Sequence, residues 1–461
     1  MTLSCLRSIV NDEFPPRGTP PLIRTIAIPM TIVSRRIFFT AILAIGLASA
    51  SFVSAACQVG AYGPGNGDFV VVTSPATLAP PAQRYLFRDG RRGSTTDADA
   101  LVRCEDGVVV VGGKNLGAEQ WPRIAMSESD STFSSHGTQL AGRLIEPASA
   151  GANAPLVVMV HGSERTSSTR SAYAYALAAQ GLRVFAYDKR GTGESEGEYT
   201  QNFELLADDA AAALEHARKK AAGRFGRAGY YGGSQGGWVA PLAATRSKAD
   251  FVAVGFGLVV SPIDEDREQM LSEARAAGLS ARDVADIERL SEATAKLVTS
   301  HFTDGFDGLA RVREELKDKP WAQTIRGEYS GDMLRASDAD LRRVGRALFD
   351  NLGLIWDYDA VAVLKRLDLP LLWVLAEDDR EAPIDTSRRA LSALVDAGEP
   401  IDVYLFPDTD HGMFEYIEQP DGSRRMTRIT DGYLALLGDW IKGDVGERYG
   451  RGIRLDRPVG R

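Results

Sequence analysis

Histidine and cysteine are the scarce residues of this 461-residue chain, at five and three. Histidines so few and so scattered leave no zinc-ligand spacing, so no metal is implied. A basic excess is also missing. Lys and Arg total 53 against 62 Asp and Glu, for a net charge of -9 and a pI near 5.3. No positive field therefore invites nucleic acid, and the acidic balance argues for solubility without naming a substrate. Neither a P-loop nor a dinucleotide-type G-x-G-x-x-G follows a strand-like run, so no cofactor is implied either. Hydrophobic residues at 44% and charged residues at 25% are ordinary globular values. The length suits one large domain with insertions, or two or three smaller ones, and no internal repeat is evident.

The one long uncharged apolar run, Ile37 to Ala56, lies near the start. Arg35 and Arg36 precede it and "VSA" or "SAA" ends it, the order of a cleavable signal peptide over residues 1–56, with Met30 as the expected true start. The alternative is an uncleaved anchor over 37–56, which has the length to span a bilayer. Cleavage before Cys57 would make this an exported protein, periplasmic or secreted. It would retain Cys57 and Cys104, which that compartment favours as one disulfide.

Residues 57–122 alternate β-rich runs with turn signals and read as a β-rich extension without evident chemistry. From 123 to 260, short apolar strands such as "PLVVMV" and "LRVFAY" alternate with helical patterns, which predicts a mostly parallel α/β sheet with helices on both faces. Residues 261–365 are charged and amphipathic, as expected of a helical insertion that roofs one end of the sheet. Its Trp321 and Trp356 would line an acyl pocket or, more ordinarily, its own core. The strand rhythm resumes over 366–443, with a final helix expected near 426–442, and 444–461 reads as a flexible tail.

Two stretches match G-x-S-x-G, the pattern that can carry a nucleophilic serine: "GESEG" at 193–197 and "GGSQG" at 232–236. A nucleophile elbow needs a buried strand running into the turn and a helix leaving it. Small flanking residues let the turn tighten, and the helix N-terminus offers unpaired N–H groups to an oxyanion. "RAGYYGGSQGGWVAPLAATR" meets these conditions around Ser234, although Pro241 falls inside the expected helix. "GESEG" has no helix directly after it and is crowded by Glu194, Glu196 and Glu198, whose charge opposes an anionic intermediate.

The serine needs a base and the base needs an acid. His216 reads as a solvated mid-helix residue, His136 and His301 as structural, and His161 as shaping the loop after its strand. His411 follows a strand and comes last in the chain, as Ser…Asp…His order requires. The acid belongs in "LLWVLAEDDREAPI", where Asp378 and Asp379 compete.

With these residues in place the chain resembles the α/β-hydrolases. "HGS" at 161–163, "YDKRGTGES" at 187–195, "GGSQGG" at 232–237, "AEDDREAP" at 376–383 and "DHG" at 410–412 occur in family order. The resemblance implies Asp379 as the acid, four residues before a proline. It also implies oxyanion donors at the N–H groups of Gln235 and Ser163, although an H-G-G-G or H-G-S-G loop is absent. Asp188 and Arg190 would brace the "GESEG" loop, and His161, Gly162, Gly232 and Gly236 would shape the site. The implied activity is serine hydrolysis of a small acyl substrate: a carboxylic ester, or alternatively a peptide or thioester, or a binding protein that keeps the fold without turnover.

Overall fold

The computed structural model describes residues 56–75, 82–112 and 117–455, so the expected signal segment lies outside them except for Ala56. The extension begins with an antiparallel sheet of β1 (Gly60–Tyr62), β2 (Val70–Thr73), β3 (Arg84–Phe87) and β4 (Arg92–Ser94). A second sheet holds β5 (Val102–Glu105), β6 (Val108–Val111) and β7 (Glu119–Gln120). Side chains alternate between the two faces of a strand. Accordingly Ala61, Val71 and Leu86 merge with the core of the following domain, whereas Tyr62, Val70, Val72, Tyr85 and Phe87 form a separate cluster with Cys57. Cys57 is joined to Cys104 by a disulfide with Cα atoms 5.5 Å apart.

The long hairpin β8 (Met126–Ser135) and β9 (Thr138–Pro147) opens the main sheet. Parallel strands follow: β10 (Leu156–Val160), β11 (Arg183–Tyr187), β12 (Ala228–Gly233), β13 (Val252–Gly255), β14 (Leu371–Ala376) and β15 (Ile401–Phe406). After them come β16 (Thr409–Asp410), β17 (Phe414–Glu418), β18 (Arg424–Ile429) and β19 (Ile453–Leu455). The nine strands of the main sheet run β19-β15-β14-β13-β12-β10-β11-β9-β8. Strands β10 to β14 are buried throughout, as helices on both faces demand.

In chain order the helices are α1 (Ala172–Ala179), α2 (Phe203–Lys220), α3 (Gly236–Ala244), α4 (Pro262–Ala276), α5 (Ala281–Thr299), α6 (Phe306–Leu316), α7 (Ser330–Arg335), α8 (Asp338–Phe349), α9 (Ala360–Leu364), α10 (Asp385–Asp396) and α11 (Tyr433–Lys442). Helices α1 and α11 pack on one face of the sheet; α2, α3, α9 and α10 pack on the other. Asn202 caps α2 by accepting from the Leu205 N–H. A capping box of Ser261 and Asp264, with Pro262 in the first turn, starts α4 and with it the insertion. Helices α4 to α8 carry their own hydrophobic cluster, and Trp321 and Trp356 are buried inside it.

Three expectations change. The final helix begins at Tyr433, because residues 414–429 form the hairpin β17–β18 instead. The tail supplies β19, which pairs antiparallel with β15. His216 is half-buried rather than solvated: its ring stacks on Phe133 at 5.4 Å, because the β8–β9 hairpin lies across α2.

Candidate active site

Ser234 follows β12 and precedes α3 with a φ of 51°. Only a steric demand holds a non-glycine residue there, and the neighbours supply it. A Cβ on Gly232 would meet the Gly236 carbonyl oxygen at 2.3 Å, and one on Gly236 would meet that of Val160 at 2.3 Å. Both glycines are therefore required by close backbone approach. Pro241 forgoes one helical bond in α3, which runs only nine residues.

Asp379 follows β14, and His411 follows β15 after the two-residue β16, so both reach the end of the sheet where Ser234 stands. His411 Nε2 lies 3.2 Å from Ser234 Oγ, and its Nδ1 lies 2.9 Å from Asp379 Oδ2. In the neutral ring Nδ1–H donates to Asp379 and Nε2 accepts from the serine hydroxyl. The other Asp379 oxygen accepts from the N–H groups of Glu381 and Ala382 at 3.0 and 2.7 Å. Asp378 turns away and accepts from the Tyr416 hydroxyl at 2.8 Å.

Burial raises the Asp379 carboxyl. Burial alone would lower His411, but the charges of Asp379, Glu381 and Asp410 outweigh it and raise the imidazole to about 10. Glu381 Oε1 stands 3.7 Å from His411 Nε2. From the insertion, the half-buried Glu265 and Glu328 bring two more carboxyls close to Glu381 and His411. Burial and then the Glu381 charge raise Glu265 to about 8, and burial and then Glu265 raise Glu328 well above the carboxylate range.

The second G-x-S-x-G serves another purpose. Ser195 Oγ donates to the Asp188 carbonyl at 2.5 Å and accepts from the Ala141 N–H at 2.9 Å. Asp188 accepts from Ser167, the Ser168 N–H and the Glu194 N–H, tying two loops together. Arg190 forms a two-pronged pair with Asp209 on α2. Between them, Lys189 was not singled out in the sequence, yet it is buried and donates to the Gly162 carbonyl at 2.6 Å. Its own N–H donates to His161 Nε2 at 3.0 Å, and His161 Nδ1 faces Glu164 at 3.2 Å. In a trans peptide C=O and N–H point opposite ways. Fixing the Gly162 oxygen therefore fixes the direction of the Ser163 N–H. Among the described residues the Gln235 N–H has no internal acceptor.

A cavity of about 510 Å³ opens at Ser234 and His411. Its walls come from the extension (Thr73, Arg84, Leu86, Arg92), from Tyr173 and Phe256, and from Phe414, Met426 and Ile429 of the hairpin. Within the described residues no lining side chain comes from the insertion, which meets the site on the glutamate side instead. Trp321 and Trp356 do not line it; their indole N–H groups donate to Asp283 and Asp350.

A mostly parallel sheet with helices on both faces, and a strand–turn–helix presenting Ser234, give this chain the α/β-hydrolase fold. Residues 151–286 match the family described as serine aminopeptidase, S33. A bifunctional esterase/perhydrolase of Acinetobacter calcoaceticus is 25% identical over 268 residues, 57% of this chain and 86% of that protein. Among solved structures, an esterase of Pyrococcus furiosus is 14% identical with a TM-score of 0.39, covering 62% of this chain and 84% of its own. An acylaminoacyl peptidase of Pyrococcus horikoshii is 15% identical with a TM-score of 0.39, covering 75% and 50%. In sequence the chain is thus similar to hydrolases, an esterase/perhydrolase among them.

Proposed function

We propose that the protein is a serine hydrolase that cleaves carboxylic esters through an acyl-enzyme. The observation that carries this reading is His411 bridging Ser234 and Asp379 at the foot of a largely apolar cavity. Ser234 Oγ attacks the carbonyl while His411 Nε2 takes its proton; Asp379 orients the ring and offsets its charge. The N–H groups of Gln235 and Ser163 face the oxyanion of the tetrahedral intermediate. His411 then returns the proton to the departing alcohol, and water repeats the cycle on the acyl-enzyme. Apolar walls suit an acyl chain, and an ester needs less leaving-group assistance than an amide. The Cys57–Cys104 disulfide supports an oxidising, exported location.

One observation favours a second reading. Glu381 lines the cavity beside His411, with Glu265 and Glu328 close behind it, carboxyls whose charged form the ammonium of an aminoacyl substrate would favour. A fluorophosphonate probe should label the folded protein and fail on Ser234→Ala; equal labelling of both rejects the nucleophile. p-Nitrophenyl esters of increasing chain length should then be turned over faster than aminoacyl-p-nitroanilides. The reverse order selects the peptidase.

A further inference from the structure

The extension reads as chemically silent, yet one face of its first sheet fronts the cavity. On β3, Arg84 lies opposite Thr73 of β2 and Ser94 of β4, and Leu86 lies opposite Val71 and Arg92. Residues two apart share a strand face, so Arg84 and Arg92 flank Leu86 on the side whose apolar members join the hydrolase core. Thr73, Arg84, Leu86 and Arg92 all line the cavity that holds Ser234.

The charges around that cavity are unevenly matched. Glu164 faces His161 at 3.2 Å, and Glu381 faces His411 at 3.7 Å. The Arg92 guanidinium lies 4.5 Å over the Phe414 ring. Arg84 has no side-chain hydrogen bond or ion pair with any described residue. A half-buried guanidinium beside apolar walls gains from an anion brought to it, because water is displaced there and no fixed carboxylate balances it. The planar fork matches carboxylate and phosphate oxygens in paired hydrogen bonds.

We propose that Arg84 is a specificity residue: it recognises an oxyanionic group, carboxylate or phosphate, carried by the ester substrate beyond an apolar segment, with Arg92 beside it. An uncharged acyl chain fills the apolar walls and leaves Arg84 without a partner. A chain or alcohol that ends in an oxyanion satisfies both. This inference rests on the ester-hydrolase reading above and adds the chemical class of the substrate.

The test compares p-nitrophenyl hydrogen adipate with p-nitrophenyl hexanoate, an acyl-borne carboxylate against its neutral analogue. A second arm compares 1-hexanoylglycerol 3-phosphate with 1-hexanoylglycerol, which places the anion on the alcohol. The preferred arm should show a kcat/KM ratio of roughly tenfold to a hundredfold for the anion, the range of one charge-assisted hydrogen bond. Arg84→Gln should bring that ratio toward one, Arg84→Lys should restore part of it, and added salt should shrink it. Ratios near one in both arms for the unaltered protein, or a ratio untouched by Arg84→Gln, overturn the proposal. Calorimetry on Ser234→Ala with the same ligands separates the two readings. Anion-selective binding without turnover rejects only the esterase, whereas equal binding of charged and neutral ligands rejects the role of Arg84.

Discussion

His411 sits among more negative charge than a general base ordinarily faces. Asp379, Glu381 and Asp410 overcome burial and raise it to about 10, so at neutral pH the ring is protonated and cannot accept the serine proton. Activity should therefore climb with pH toward 10. Glu381→Gln removes one of the charges that hold the proton and should move this limb to lower pH. Profiles of kcat/KM for both proteins check it, and a limb that stays in place rules out the role of Glu381. The same shift has a stability consequence. A base raised above its unfolded value near 6.5 stabilises the fold fully below that pH, and the contribution is lost as pH passes about 10.

Lys189 belongs to the same scale. Lys189→Met should lower kcat roughly 10²-fold, as a misdirected oxyanion donor does, and leave KM near its original value. A change in KM alone would assign Lys189 to substrate binding instead. The residues of the candidate triad were legible because each stands at a strand end within a short local pattern. Lys189, Glu265, Glu328 and Glu381 were not. Their roles depend on burial and on distances between segments that lie far apart in the chain.

At the scale of elements, the hairpin β17–β18 explains why the cavity differs from expectation. Residues 426–429 are expected from the sequence to start a helix; as part of Arg424–Ile429 they pair instead with Phe414–Glu418, and Met426 and Ile429 reach the site. The β-turn of the extension locks onto this hairpin. Ile429 N–H donates to the Gly90 carbonyl at 3.0 Å, and a Cβ on Gly90, whose φ is +90°, would meet the Ile429 oxygen at 2.0 Å. Gly90→Ala should destabilise the fold by at least ~1 kcal/mol, and raise KM more than it lowers kcat. Thermal melts and steady-state kinetics measure the two effects. The helical insertion was legible as helical from its amphipathic pattern, but no periodicity tells which side of an active site an insertion will face.

Across the whole molecule, strand and helix alternation made the central sheet readable, since each buried parallel strand is a short unbroken apolar run. The extension's union with that sheet was hidden, because its strands share their core with helices near both ends of the domain. The disulfide acts within the extension, tying residue 57 to its second sheet at residue 104, and closes a loop with a sequence separation of 47. Chain-entropy arguments assign such a loop about 4 kcal/mol. Reduction, or Cys104→Ser, should lower the unfolding free energy by that order, read from urea transitions with and without reductant.

The interlock of Gly90 with Ile429 joins positions 339 residues apart, most of the length of the chain. Contacts of that reach form late, because the entropy of closing the intervening loop must be met first. Strands and helices between them can assemble earlier, and so can the approach of Ser234 to its partners. The walled cavity is complete only when the hairpin of residues 414–429 meets the extension. A chain still on the ribosome and short of residue 429 therefore has no walled substrate chamber.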